Sequence, residues 1–225
     1  MVFDHLQQGR ASLQDALVSS FVAGLMARHL GGRVRRELAE EAFVGALFNR
    51  LGRNLVMYYL EDEYTEIEVL VSGGMARPQA EKRVLATSCA AIGKAIATTW
   101  KFPPVLLECM TPLLSGMREA PATTASALHA YAHLSNELSE LANAGPQDAL
   151  PALDALVLRY AGVFNGTPAH LGELLGAALE KFRELAPTLG VETSKNGFCL
   201  RATAFLESIK AEEAAGGETS EVAAA

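Results

Sequence analysis

Apolar residues recur along this chain at three- and four-residue spacings. No stretch alternates apolar and polar positions between turn dipeptides of the hairpin kind, so the pattern predicts an all-α protein. Ser12 predicts the cap of a first helix running to Leu30, with Leu13, Leu17, Phe21 and Leu25 on neighbouring turns and Gly31-Gly32 as a left-handed exit. From Glu37 to Leu60 the apolar positions are dense enough to predict a buried block, with a bend or junction at Gly52. Glu61 to Val71 follows as an acidic surface helix that Gly73-Gly74 ends, and Pro78 suits the first turn of a short helix through Leu85.

Ser88 caps the next predicted helix, to Trp100, which Phe102-Pro103-Pro104 breaks because a residue before proline is pushed out of helical geometry. A helix from Val105 to Leu114 and a long one from Thr123 to Asn143 flank a connector over Gly116 to Pro121, and Gly145-Pro146 closes this part of the chain. These elements predict one helical domain over residues 1–143. Helices over Pro151 to Phe164, Pro168 to Leu189 and Gly197 to Lys210 carry their own punctuation and predict a C-terminal helical extension over 146–210. The tail 211–225, AEEAAGGETSEVAAA, is too poor in large apolar groups to offset its ordering entropy, so it is expected to be disordered.

Composition narrows the function classes. With 225 residues, 50% hydrophobic and 20% charged, the chain builds one sizeable core or two small ones. Nineteen basic against 26 acidic residues give a net charge of −7, without the positive surplus that nucleic-acid binding draws on. Cys89, Cys109 and Cys199 are widely spaced and suggest neither a disulfide framework nor a zinc clip, so reduced cytoplasm is the expected location. The N-terminal MVFDHLQQGR does not read as a signal peptide, and every apolar stretch is interrupted well before the roughly 18 residues a membrane span needs.

Few residues suggest chemistry. His129, His133 and Glu137 stand four apart on the long helix, a spacing that suits metal ligands on adjacent turns. Against this, Ala127, Tyr131, Leu134, Leu138 and Leu141 form the apolar stripe of that helix. Both histidines then fall on the opposite face with Asn136 and Glu140, which predicts a solvated face. His5, His29 and His170 stand alone, the cysteines suit core packing better than nucleophilic roles, and Ser19-Ser20 lacks a nucleophile elbow. The basic set Arg33, Arg35 and Arg36, followed by Asn49, Arg50, Arg53 and Asn54, offers guanidinium groups for a phosphate or carboxylate, or simply a solvated helix junction.

The segment AFVGALFNRLGRNLVMYYLEDEYTEI, then AEKRVL, then CAAIGKAIATTWKFP, resembles the HDOD family, helical relatives of the HD metal-dependent phosphohydrolases. The similarity runs over about Asp15 to Leu141. It rests on Gly45 to Phe48 with Leu51-Gly52, the Glu81 region, Ile92-Gly93, and Trp100 with Phe102-Pro103. The resemblance implies an HD-like helical bundle in which Asn49-Arg50 occupies the place of the histidine-aspartate pair that holds a divalent cation. Arginine cannot ligate a cation and repels one. The family's other ligand positions fall near Ser19, Cys89, Leu113-Leu114 and His133, so the expected site is a vestigial pocket at Asn49, Arg50, Arg53 and Ser19, without cofactor or metal.

The resemblance further implies a noncatalytic bacterial signal-transduction module that binds a protein partner, neighbouring domains of a parent protein, or a small regulator. The alternatives are a residual phosphohydrolase using His129, His133 and Glu137, or a sensor of phosphate or a cyclic nucleotide. The family's domain has further helices before the segment that FDHLQQG resembles, so the chain is expected to be a fragment or a truncated domain. Apolar surface left on the first long helix would then favour a homodimer.

Overall fold

The computed structural model describes residues 2–145 and 149–222, with side chains over 11–145, 149–212 and 214. Eleven α-helices and no strand occur among the described residues, in agreement with the all-α reading. The first half holds α1 (Val2–Val34), α2 (Leu38–Phe48), α3 (Leu51–Tyr59), α4 (Glu61–Ser72), α5 (Arg77–Leu85), α6 (Cys89–Thr99) and α7 (Pro104–Cys109). The second half holds α8 (Thr124–Ala144), α9 (Ala149–Arg159), α10 (Pro168–Leu185) and α11 (Gly197–Val222).

Local signals place most boundaries. The Ser88 side chain accepts from the Ala91 amide at the start of α6, and Thr123 and Ser126 form a reciprocal capping box on α8. Gly74 leaves α4 with φ +92°, as its glycine predicts. Two predicted helices end early at prolines. Pro112 disfavours helical geometry at Thr111, so α7 stops at Cys109 rather than Leu114. Pro187, which has no amide hydrogen to continue the ladder, stops α10 at Leu185 rather than Leu189, with Ala186 before it still helical.

The first helix departs most from expectation. It begins at Val2 rather than after Ser12, and it continues through Gly31-Gly32 to Val34 without a left-handed residue. Gly31 serves packing instead, because a Cβ there would lie 2.9 Å from the Leu38 carbonyl and 3.0 Å from Ala42 Cβ, where α2 crosses α1. Gly52 is likewise no bend. The chain breaks at Asn49-Arg50, and Gly52 lets α3 cross α6 with its backbone against Cys89 and Gly93. The tail expected to be disordered from Ala211 continues α11 to Val222. Residues 223–225 lie outside the described residues, as do Pro146 and the His5 side chain.

One hydrophobic cluster draws Met26 and Leu30 from α1, Ala42 and Ala46 from α2, Leu134 and Leu138 from α8, and Phe182, Phe198 and Phe205 from the last two helices. The predicted extension therefore shares the core of the first part. Phe21 of α1 meets Phe43 of α2 at 5.3 Å and Phe182 of α10 at 5.7 Å. Between Val18 and Leu30 the apolar face of α1 is covered by α2, α8, α10 and α11, while Leu17 stays exposed. Helices α4 and α5 pack on each other and reach the rest chiefly through α3, with Ile67 and Ala80 buried between them and the bundle.

The long helix α8 corrects a second expectation. From His129 to Asn136 its polar face is not solvated, because α1, α2 and α7 cover it while α9 to α11 close the other side. Glu140 alone of the set expected there stays exposed. His129, Ser135, Asn136 and Ser139 are all buried. Most of these buried polar groups find partners, although the Ser135 hydroxyl and Asn136 Oδ1 have none among the described residues. Here Asn136 Nδ2 donates to the Ala46 and Ala132 carbonyls, each at 2.9 Å, and both histidines reach the Thr111 carbonyl.

Candidate functional site

The break between α2 and α3 sends two successive side chains in different directions. Asn49 retains helical angles at the end of α2, whereas Arg50 has φ −102° and ψ 18°. Asn49 faces α7 and α8, where its amide donates to the Cys109 carbonyl and lies 3.2 Å from His133 Nε2. Arg50 turns along α8, donating to the Asn136 carbonyl and pairing with Glu140 at 3.0 Å.

The Asn49 side forms a closed cluster. A carbonyl only accepts, so His129 and His133 each present Nε2–H to Thr111 O, at 2.6 and 2.8 Å, with their rings 4.8 Å apart. Burial, with His129 close by, pushes His133 down to about 4, so it is neutral at physiological pH. Glu137 points elsewhere, accepting from the Tyr160 hydroxyl at 2.6 Å and pairing with Arg159 at 3.2 Å. Among the described residues no three His, Cys, Asp or Glu side chains are gathered to hold a metal ion. A divalent cation does not fit this arrangement: both Nε2 atoms are committed as donors, Glu137 is turned away, and Asn49-Arg50 supplies an amide and a cation.

The Arg50 side opens into a cavity of about 570 Å³. Helix α1 contributes Ser12, Asp15, Ala16 and Ser19, α3 contributes Arg53, Asn54 and Met57, and α4 and α5 contribute Tyr64, Glu68 and Arg77. Helix α8 supplies Glu140, Asn143 and Ala144, and α11 supplies Arg201. Arg53 spans two elements, at 2.9 Å from Glu140 and 3.4 Å from Glu68, and its other contact is the Tyr64 hydroxyl at 3.3 Å. Arg77 gives both terminal nitrogens to Glu68, at 2.8 and 3.0 Å. Asp15 accepts from Asn196 Nδ2, the Gly197 amide and Arg201, which anchors the start of α11 against α1.

Electrostatics keep this network ionised. Burial raises the Glu140 carboxyl, but Arg50, Arg53 and Arg77 outweigh it and hold Glu140 below the usual carboxylate range. Glu68 is held low in the same way, with Arg77 and Arg53 outweighing burial. Burial lowers Arg50 to about 10, with Glu140 opposing, so it remains charged. Arg53 is driven upward, since Tyr64, Glu140 and Glu68 overcome its desolvation.

Of the sequence-predicted site, Ser19, Arg50 and Arg53 line the cavity, while Asn49 lies behind it with His133. Arg33, Arg35 and Arg36 do not join the cavity lining, and Arg35 bonds Thr124 instead. Cys89 and Cys109 are buried thiols pushed up to about 12, and Cys199 to about 11, by desolvation, as core packing requires. Sequence reasoning missed Asp15, Tyr64, Glu68, Arg77, Glu140 and Arg201. Only Glu140 carried a signal, its four-residue spacing from Asn136 on the polar face of α8.

The family model of the HDOD domain matches residues 1–112. No curated protein matches the chain. Among solved structures, the chain is similar to the crystal structure of a "Putative phosphohydrolase" from Shewanella amazonensis SB2B, at 19% identity and a TM-score of 0.51. That likeness covers 86% of this chain and 64% of the other, so this chain spans less than two thirds of that protein's length, and it shows a shared helical fold. No helix among the described residues is long and apolar enough to cross a membrane.

Proposed function

Because residues 1–112 belong to the HDOD domain family, we propose that this chain is a noncatalytic bacterial signal-transduction module, acting in the cytoplasm by binding a regulator or protein partner at the Arg50 cavity. One observation carries the reading. Arg50, in the place where the resemblance puts a cation ligand, is ion-paired to Glu140 and bonded to the α8 backbone, so a fixed guanidinium joins the α2–α3 junction to α8. A bound cation would have to displace this group against its charge. Asn49 and the two histidines are likewise committed to hydrogen bonds inside the protein.

The reading has a direct test. Protein purified without chelator or metal-affinity tag should contain far less than one equivalent of any divalent metal by elemental analysis. It should also leave p-nitrophenyl phosphate and nucleoside monophosphates unhydrolysed with added Mn²⁺. One equivalent of metal per chain, together with turnover that a chelator abolishes, would sink the proposal and favour a phosphohydrolase with other ligands.

A further inference from the structure

The cavity beside Arg50 carries more positive charge than its own acids neutralise. Arg50, Arg53, Arg77 and Arg201 face Asp15, Glu68 and Glu140, an excess of one charge from four against three, around about 570 Å³ of space. The arginines come from the start of α3, from α5 and from α11, so the convergence belongs to the tertiary fold and not to one exposed helix face. Glu68 and Glu140 hold Arg53 and Arg77 in place while their own side chains stay 35% and 48% exposed. Two guanidinium groups that share one carboxylate are already oriented for a group with more acceptor oxygens and more charge than that carboxylate, and a phosphoryl group has both. The Asn54 and Asn143 amides, the Tyr64 hydroxyl and the Met57 side chain line the remaining space, whose size suits a small metabolite rather than a bare ion.

We propose that this cavity binds a phosphate monoester of about nucleotide size, its phosphoryl group held by Arg53 and Arg77 and the rest of the molecule filling the space between α1 and α8. The site deepens the proposed function, since it gives the noncatalytic module a ligand class, and it rests on that reading. It also supplies a route for the signal. Arg53 joins Glu68 of α4 to Glu140 of α8, so a phosphoryl group that takes over Arg53 and Arg77 loosens the tie between the α4–α5 pair and the core.

Isothermal titration calorimetry on the full chain tests the site with three probes: AMP, adenosine and inorganic phosphate. AMP is expected to bind at one site per chain, with adenosine and phosphate each at least tenfold weaker. Arg77→Gln should weaken AMP at least tenfold, whereas Arg33→Gln, outside the cavity, should bind as the wild type does. Should Arg77→Gln fail to fold by circular dichroism, protection by AMP against phenylglyoxal modification of Arg53 and Arg77, mapped by mass spectrometry, gives the same answer without a variant. No AMP binding at millimolar concentration, adenosine or phosphate binding as tightly as AMP, or an unchanged affinity in a folded Arg77→Gln protein would each overturn the site. Hydrolysis of AMP would overturn the noncatalytic reading and leave the site standing, so the two failures are distinguishable.

Discussion

The Arg50 guanidinium lies 3.0 Å from the Glu140 carboxylate, and the arginine side chain is only 16% exposed while the glutamate is about half exposed. The pair joins the α2–α3 break to the central helix, and the same guanidinium also serves the Asn136 carbonyl. Arg50→Ala is therefore expected to destabilise the protein by about 1–3 kcal/mol, since it removes a charge-assisted hydrogen bond between the α2–α3 break and α8 and leaves Glu140 paired with Arg53 alone. Arg50→Lys should recover only part, because one ammonium is poorly placed to serve both partners. Urea denaturation of the three proteins checks the order.

The neutral state of His133 makes stability depend on pH. Its pKa falls from an ordinary 6.5 to about 4 in the folded protein, chiefly through burial. Between these values the unfolded chain binds the proton and the folded one does not. The contribution is complete above about pH 6.5 and is lost as pH falls towards 4, at up to about 1.4 kcal/mol per pH unit. His133→Gln should flatten the stability profile in that window and leave its slope above pH 7 unchanged, as read by chemical denaturation at a series of pH values. An equal slope in both proteins would contradict the buried neutral imidazole.

Adjacent glycines in α1 should respond in opposite ways. Gly31→Ala places a Cβ against the Leu38 carbonyl and Ala42, and it is expected to cost about 1–3 kcal/mol. Gly32→Ala meets nothing closer than Ala39 Cβ at 3.5 Å, so the gain in helix propensity should stabilise by about 0.5–1 kcal/mol. Thermal melts of the two variants decide it.

Removing the C-terminal helices should uncover the core. A chain ending at Gly145 loses Phe182, Phe198 and Phe205, all of them buried against the same cluster as α1 and α8. The truncated protein is expected to aggregate or to bind a hydrophobic dye strongly. A monomeric, cooperatively melting product would show instead that residues 1–145 form a self-sufficient unit.

The three thiols should be silent in the native protein. Cys89, Cys109 and Cys199 are buried and their pKa values are raised by desolvation. Reaction with a thiol-specific disulfide reagent at pH 8 is expected only after denaturant is added, with three equivalents then released.

The sequence by itself determined the helical class and most helix starts, and its resemblance to the HDOD family drew attention to Asn49-Arg50. Those features are local: a serine or threonine cap, a glycine exit and a three-to-four periodicity act within one or two turns. It was less reliable where one residue type serves two purposes, as with Gly31 and Gly52, whose missing side chains admit a neighbouring backbone rather than end or bend a helix. It also misjudged α8, because a polar stripe looks the same whether it faces water or a set of internal partners. Only the tertiary structure decided that His129, His133 and Asn136 are paired inside, that α10 and α11 cover α1, and that Arg77 and Arg201 join Arg50 and Arg53 around one cavity. Arg50 and Arg201 lie 151 positions apart in the chain, and what brings them together is the burial of phenylalanines on α10 and α11 against α1 and α8, an interaction with no local signature at either arginine.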